Sequence, residues 1–323
     1  QRIFNRPAVE ELEQGILSCA NCGMKMAIAT VPALSIGRCP QCGALSFFPL
    51  RVGDYWLYEP LGGGGMGSVY HACHVRYAEA EFAVKVLPRE RKHDPGLIQA
   101  LLNEAEVGYK LGRHPHLMQV YEYGQKDDEY YAVFEYLDGI RLDQLIDSPI
   151  KRPIRQILLW ALQILAAEQH MYDRGYLFRD LKPQNVIIDQ QGNAKMLDYG
   201  LALPIEEALH HPAEQIKGSP YYLPPERIVG AGEGQCSEIY SLGMVLFHVL
   251  ARKPYYSAED VKRLVGKHVM SLRINDVSTK LPGGIDPALT NILNKMIQRN
   301  PNHRYQSYRE VGAELFAFYK QCA

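Results

Sequence analysis

The stretch at residues 176–188, "YLFRDLKPQNVII", constrains this chain more than any other. It sets Arg179, Asp180, Lys182 and Asn185 between two apolar strings, "ILLWALQILAAEQHMYDRGYLF" upstream and "VIID" downstream. A surface loop has no need of such flanks. A buried strand has no use for four polar groups, because burial without partners costs several kcal/mol each, roughly 2–7. The fold must hold a polar loop rigidly on an apolar base, as a preorganised site requires.

The rest of the chain allows this. Its 323 residues, 47% hydrophobic, suffice for two ordinary domains, or one two-lobed domain, plus an appendage. A net charge of -1 gives no reason to expect nucleic acid or a membrane surface as partner. The best apolar run, "YSLGMVLFHVLA", is interrupted by glycine and histidine and too short for a bilayer span. The opening "QRIFNRPAVEELEQG" lacks the layout of a secretory signal, and an anchor beyond residue 323 is left open. Of seven cysteines, Cys73, Cys236 and Cys322 stand alone, which suits a reducing, cytoplasmic setting.

Periodicity orders the chain. Val9, Leu12 and Ile16 predict a helix over residues 7–17. Strand patterns follow in "YWLYEPLG", "SVYHACHV" and "EFAVKVLP". "DPGLIQALLNEAEVGYKLG" predicts a helix capped by Asp94 with Pro95 in its first turn. Two more strands, "LMQVYEYG" and "YYAVFEYL", precede a helix-rich half. The domain reading is a helical segment at 1–18, a four-cysteine module at 19–50, a strand-rich lobe at 51–137 and a helical lobe at 138–323.

"LGGGGMGSVY" contains G-x-G-x-x-G at Gly62, Gly64 and Gly67. It lacks the Lys-Ser/Thr ending of a P-loop, and a strand follows where a dinucleotide fingerprint needs a helix. A tight hairpin remains, as does a turn whose backbone amides approach phosphate, with Val69 over a planar base. Lys85 lies in the next strand but one and can reach a phosphate if a carboxylate holds it. Glu104 and Glu106 are candidates, and Glu104 shares its helix face with Leu97, Leu101 and Leu111.

"CANCG" and "CPQCG" place Cys19, Cys22, Cys39 and Cys42 as C-x2-C-x16-C-x2-C. Four thiolates at this spacing suit one structural zinc ion, which stabilises a segment too small for its own core. The segment resembles a zinc ribbon. Its role is open between a stabilising knob and a regulatory module that recruits a partner.

Taken in order, "LGGGGMGSV", "AVK", a helix Glu, "FRDLKPQN", "LDYG", "GSPYYLPPE", "IYSLG" and "NPNHR" resemble the protein kinases, closest to bacterial serine/threonine kinases, over residues 51–321. The resemblance implies an α+β fold, a two-lobed kinase fold with a β-rich first lobe and a helical second. It implies ATP and magnesium as cofactors and a protein substrate. Asp180 would position the acceptor hydroxyl, Lys182 would steady the γ-phosphate, and Asn185 and Asp198 would bind magnesium. Lys85 would contact the α/β-phosphates and pair with Glu104. Leu61, Gly62, Gly64, Gly67, Val69, Ala83, Glu135 and Leu137 complete the nucleotide-binding set. The alternative is a pseudokinase scaffold, which the presence of Lys85, Asp180 and Asp198 disfavours.

The sequence departs from the family at Phe178 (usually His), Tyr199 (Phe), Pro224 (Ala), Glu238 (Asp) and Gly108 (a bulky residue). The expected compensations are a Tyr199 ring packed against Gly108 with its hydroxyl on a polar partner, and a Glu238 carboxylate accepting amides near Phe178–Arg179. Glu226 is expected to pair with Arg304. Residues 201–218 contain no Ser, Thr or Tyr, so activity without loop phosphorylation is expected, with Glu206, Glu207 and Glu214 as permanent charges for Arg179. Ser219 matches a threonine that lines the substrate site. Arg141 argues against strongly basic substrates.

Overall fold

The computed structural model describes residues 4, 6–64, 67–77, 79–210, 218–257, 260–270 and 276–322. The chain divides into two compact units, residues 1–112 with 119–137, and residues 113–118 with 138–323.

The first unit begins with α1 (Val9–Glu13), shorter than the spacing predicts. Gly15 takes φ +74°, which ends the helix, and Ile16 joins β1 (Ile16–Ser18) instead. Leu17 lies opposite Met26 of β2 (Lys25–Ala27). Val9 and Leu12 enter one apolar cluster with Leu17, whereas Ile16, the third member of the spacing, is half-buried on the strand. A second hairpin pairs β3 (Ser35–Arg38) with β4 (Leu45–Phe48). Each C-x-x-C-G stretch forms the turn of one hairpin.

Next comes a six-stranded antiparallel sheet. Its strands are β5 (Leu50–Val52), β6 (Tyr55–Gly64), β7 (Gly67–His74), β8 (Glu81–Val86), β9 (Val120–Lys126) and β10 (Glu129–Glu135), in the order β5-β6-β7-β8-β10-β9. Helix α2 (Pro95–Leu111) starts where expected: the Asp94 carboxylate accepts from the amides of Gly96 and Leu97 at 2.9 and 3.2 Å. It buries Leu97, Leu101, Glu104, Ala105, Gly108 and Leu111.

Both faces of β6 and β7 are covered. Successive strand residues point to opposite faces. Tyr55, Leu57 and Ala72 pack with Val52, Val84, Val86 and Val133. Trp56, Tyr58 and Cys73 pack on the other side with Val9, Leu12, Met26, Phe48, Cys19 and Cys39. The indole N–H of Trp56 donates to Glu13 at 2.6 Å. The cysteine module is thus no loose appendage: it shares a core with the sheet.

The second unit holds β11 (Gly139–Arg141), α3 (Leu142–Asp147), α4 (Ile154–Asp173), β12 (Tyr176–Leu177), β13 (Val186–Asp189), β14 (Ala194–Met196), β15 (Leu203–Pro204), α5 (Ile205–Ala208) and α6 (Pro225–Ile228). It continues with α7 (Gln235–Ala251), α8 (Val261–Met270), α9 (Pro287–Met296) and α10 (Tyr308–Gln321). Helix α4 carries most of the upstream apolar string, the downstream string is β13, and α7 holds the run "YSLGMVLFHVLA"; both helices bury much of their surface. The β13–β14 hairpin is fastened to α4 by polar groups: Gln156 and Trp160 donate to the Gly192 carbonyl at 2.9 Å, and Gln163 bonds Asn193 and the Ala194 amide. Among the described residues no helix is long and apolar enough to cross a membrane.

Deleting residues 1–48 would bare Trp56, Tyr58 and Cys73, now 7%, 3% and 0% exposed. Large side chains are worth about 1.5–3 kcal/mol each on burial. The truncated chain should melt on the order of 10 °C lower in scanning calorimetry. An unchanged Tm would mean the shared cluster adds no stability.

Candidate active site

In the first unit the register fixes one working face. Gly62 lies opposite Val69, and Val69 opposite Lys85. With a strand period of two, Val69, Ala83 and Lys85 share that face. Gly62 and Gly64 end β6, with Leu61 exposed beside them, and Gly67 opens β7. Gly67 has φ +150°, and a Cβ there would lie 2.9 Å from the Val86 carbonyl oxygen and 3.4 Å from Lys85 Cε. Only glycine lets the hairpin run this close over the lysine. Lys85 Nζ donates to Glu104 Oε2 at 2.6 Å, so the choice of Glu104 is correct. Glu106 instead pairs with Lys110 on the helix surface. Glu135 ends β10 and bonds Gln119 through both its amide and its carboxylate, with Leu137 two residues on.

In the second unit the polar burst folds into one hydrogen-bonded knot. Asp180 and Asn185 are 7% and 6% exposed. Lys182 Nζ donates to Asp180 Oδ2 at 2.6 Å. Asn185 Nδ2 donates to the same oxygen at 2.9 Å and to the Asp180 carbonyl at 3.1 Å. Burial raises the Asp180 pKa above the ordinary carboxylate value, and Lys182 works against the rise. The Asn185 amide nitrogen is spent on Asp180, so the oxygen is the atom it offers a cation.

The β13–β14 hairpin brings Asn185 and Asp198 to its open end. Val186 lies opposite Met196, and the Leu197 amide donates to the Asn185 carbonyl at 2.8 Å. Asp198 has φ +69°, a left-handed conformation that aspartate tolerates, and its Oδ1 accepts from the Gly200 amide at 2.9 Å. One carboxylate and one amide at the same end of the hairpin are oxygen donors of the kind magnesium takes.

Two of the departures from pattern, Tyr199 and Glu238, find hydrogen-bond partners. Tyr199 is 2% exposed, and its hydroxyl donates to the Met118 carbonyl at 2.6 Å. Phe178 is 1% exposed. Both Glu238 oxygens accept from the Arg179 amide, at 3.0 and 3.2 Å, despite the extra methylene. Arg304 grips Glu226 with two bonds of 2.7 and 2.9 Å inside the core, as expected. Arg141 pairs with Asp143, which compensates the charge on which the substrate hint rested.

Glu206 and Glu207 are exposed on α5, and Glu214 lies outside the described residues. The carboxylate on the Arg179 guanidinium is Glu233, at 2.7 and 3.0 Å. In the sequence Glu233 is one acid in "GAGEGQ", with no signal to distinguish it from a solvated loop residue.

The four cysteines converge. Cys19 and Cys42 Sγ are 3.6 Å apart, as are Cys22 and Cys39, and all four sulfurs lie within 4.8 Å of one another. A tetrahedron of thiolates about 2.3 Å from a zinc ion has edges near 3.8 Å, so the set fits zinc. The two turns match: the Gly23 amide bonds the Cys19 carbonyl and the Gly43 amide bonds the Cys39 carbonyl.

Residues 55–316 match the family described as protein kinase domain. The chain is 30% identical over 263 residues to the serine/threonine-protein kinase PrkC of Bacillus subtilis, covering 81% of this chain and 40% of that protein. It is 30% identical over 277 residues to the serine/threonine-protein kinase PknB of Mycolicibacterium smegmatis, covering 83% and 43%. The chain thus spans about two fifths of the length of these curated relatives.

Glu168 on α4 is 1% exposed, and neither carboxylate oxygen has a hydrogen-bond partner among the described residues. Burial, then the nearby Glu238 charge, holds its pKa well above the usual 4.5. Tyr308 also faces this pair, and Arg227 and Arg179 partly offset the rise at Glu238. The folded chain therefore keeps a proton that the unfolded chain releases above pH 4.5, so this group's stabilisation is full below that pH and fades as pH rises. Glu168→Gln keeps the shape and removes the linkage. The drop in Tm between about pH 5 and pH 8 should shrink in this variant. An unchanged drop would mean that Glu168 is ionised in the fold.

Proposed function

The chain belongs to the protein kinase family, and from that premise we propose that it transfers the γ-phosphoryl group of magnesium-ATP to serine or threonine hydroxyls of a protein. The observation that carries the proposal is the knot in which Lys182 and Asn185 fix the Asp180 carboxylate. Phosphoryl transfer asks for positioning and for compensation of spread negative charge, with little covalent chemistry from the protein. Asp180 orients the acceptor hydroxyl and takes up its proton, a task its raised pKa favours. Lys182 sits on the same carboxylate oxygen and meets the transferred group. Lys85, held by Glu104, presents its ammonium to the α/β-phosphates. Asn185 and Asp198 hold magnesium, which neutralises phosphate charge when bound. Leu61, Gly62, Gly64, Gly67, Val69, Ala83, Glu135 and Leu137 form the nucleotide-binding set, in the first unit. Lysine two residues after Asp180, together with the names of the relatives, supports serine/threonine over tyrosine.

Cys19, Cys22, Cys39 and Cys42 hold a structural zinc ion. None of the seven cysteines is in a disulfide, a pattern that fits the cytoplasm. Exposed Ile36 and Leu45 on the β3–β4 hairpin are the surface the ribbon offers a regulatory partner.

Asp180→Asn should abolish magnesium-ATP phosphotransfer at unchanged Tm, and phosphatase treatment of the wild type should leave its rate unchanged. Equal rates for wild type and variant would favour the scaffold alternative. Loss of activity on dephosphorylation, mapped to Ser219, Tyr221 or Tyr222, would refute independence of phosphorylation. Elemental analysis should find one zinc per chain, and a strong chelator should lower Tm.

A further inference from the structure

We infer that Glu233 is a positioning residue for the catalytic loop, a built-in carboxylate doing for Arg179 what an added phosphate would do; this rests on the kinase reading above. Glu233 lies in the turn between α6 and α7, seven residues beyond Glu226 and outside the segment where such a charge was expected. Its Oε1 accepts from Arg179 Nε and Nη2 at 3.0 and 2.7 Å. Its Oε2 accepts from Arg227 Nε at 2.7 Å, and Arg227 Nη2 forms an ion pair with it. Arg227 Nη1 in turn donates to the Arg179 carbonyl. The side chains of Glu233, Arg179 and Arg227 are 1%, 8% and 6% exposed.

The same turn also grips the start of the activation segment. The Glu233 amide donates to the Ala208 carbonyl at 3.1 Å. Gly232 packs so tightly there that a Cβ would fall 2.6 Å from the Leu209 carbonyl oxygen. Arg179 therefore receives its peptide N–H partner from Glu238, its guanidinium partner from Glu233, and its carbonyl partner from Arg227. One turn fixes the residue before Asp180 and the segment after Asp198 together.

A further anion would have to compete with Glu233, whose carboxylate already pairs with both Arg179 and Arg227. A phosphate brings a charge of about -1.5 to -2 and would have to displace Glu233, leaving a buried carboxylate unpaired.

The test uses the full chain with Glu233→Gln, Arg179→Gln and the double variant. Glu233→Gln should lower kcat at least ten-fold with the KM for ATP within two-fold. The double variant should be no slower than Arg179→Gln alone, because Glu233 acts through that arginine. Hydrogen exchange should rise in the amides of residues 179–185 while α4 and α7 keep their protection. If Glu233→Gln fails to fold, Glu233→Asp carries the same readouts and should fall between wild type and Arg179→Gln. A folded Glu233 variant with wild-type kcat and loop protection would overturn the proposal, as would protection lost uniformly through the unit. Absence of phosphotransfer in the wild type would refute the kinase reading, and hydrogen exchange would still decide whether Glu233 fixes the loop.

Discussion

The Arg179 peptide N–H, held between the two oxygens of Glu238, is the constraint on which the second unit turns. Arg179 has φ +68°, a left-handed conformation that costs a non-glycine residue about 1–3 kcal/mol. A relaxed backbone would rotate Asp180 away from Lys182 and Asn185. The strain persists because the Arg179 N–H, Nε, Nη2 and carbonyl are all committed to buried partners. Those partners, Arg227, Glu233 and Glu238, come from one stretch running from α6 through the turn into α7, so the packing of that stretch holds one backbone angle. Glu168 stands behind this arrangement, and its burial, with the Glu238 charge nearby, pushes its pKa up.

The first unit solves a different problem. A lysine on a sheet must stay charged, extended and aimed while partly buried. Glu104 supplies the counter-charge from a helix whose own start is fixed by Asp94, so the ion pair inherits the rigidity of α2. Behind the sheet the cysteine module closes the opposite face of β6 and β7. The strands that carry the glycine turn are thereby packed on both sides, which limits how far they can flex.

Residues whose types and order leave few alternatives were legible. The Lys85–Glu104 pair, the Asp180–Lys182–Asn185 knot and the convergence of the four cysteines are of this kind. Residues whose role exists only in three dimensions were not. Glu233 reads as a loop acid until the fold places two guanidinium groups around it. The helix over residues 7–17 stops short because Gly15 takes a positive φ and Ile16, the third residue of the spacing, opens a strand. The shared core leaves a trace in the sequence. In "YWLY" four consecutive large residues are buried, and a strand with one wet face would alternate. Trp56 and Tyr58 announce that something covers the second face.

That covered face has a consequence for the order of assembly. Both hairpins of the cysteine module close within some thirty residues, so little chain entropy opposes their formation. During synthesis the module emerges before β6 and β7. Its apolar side then stands ready as Trp56, Tyr58 and Cys73 arrive, and a sheet that must otherwise find its partners across long loops begins from a template. In this chain the metal-sized corner is the cornerstone in time as well as in space.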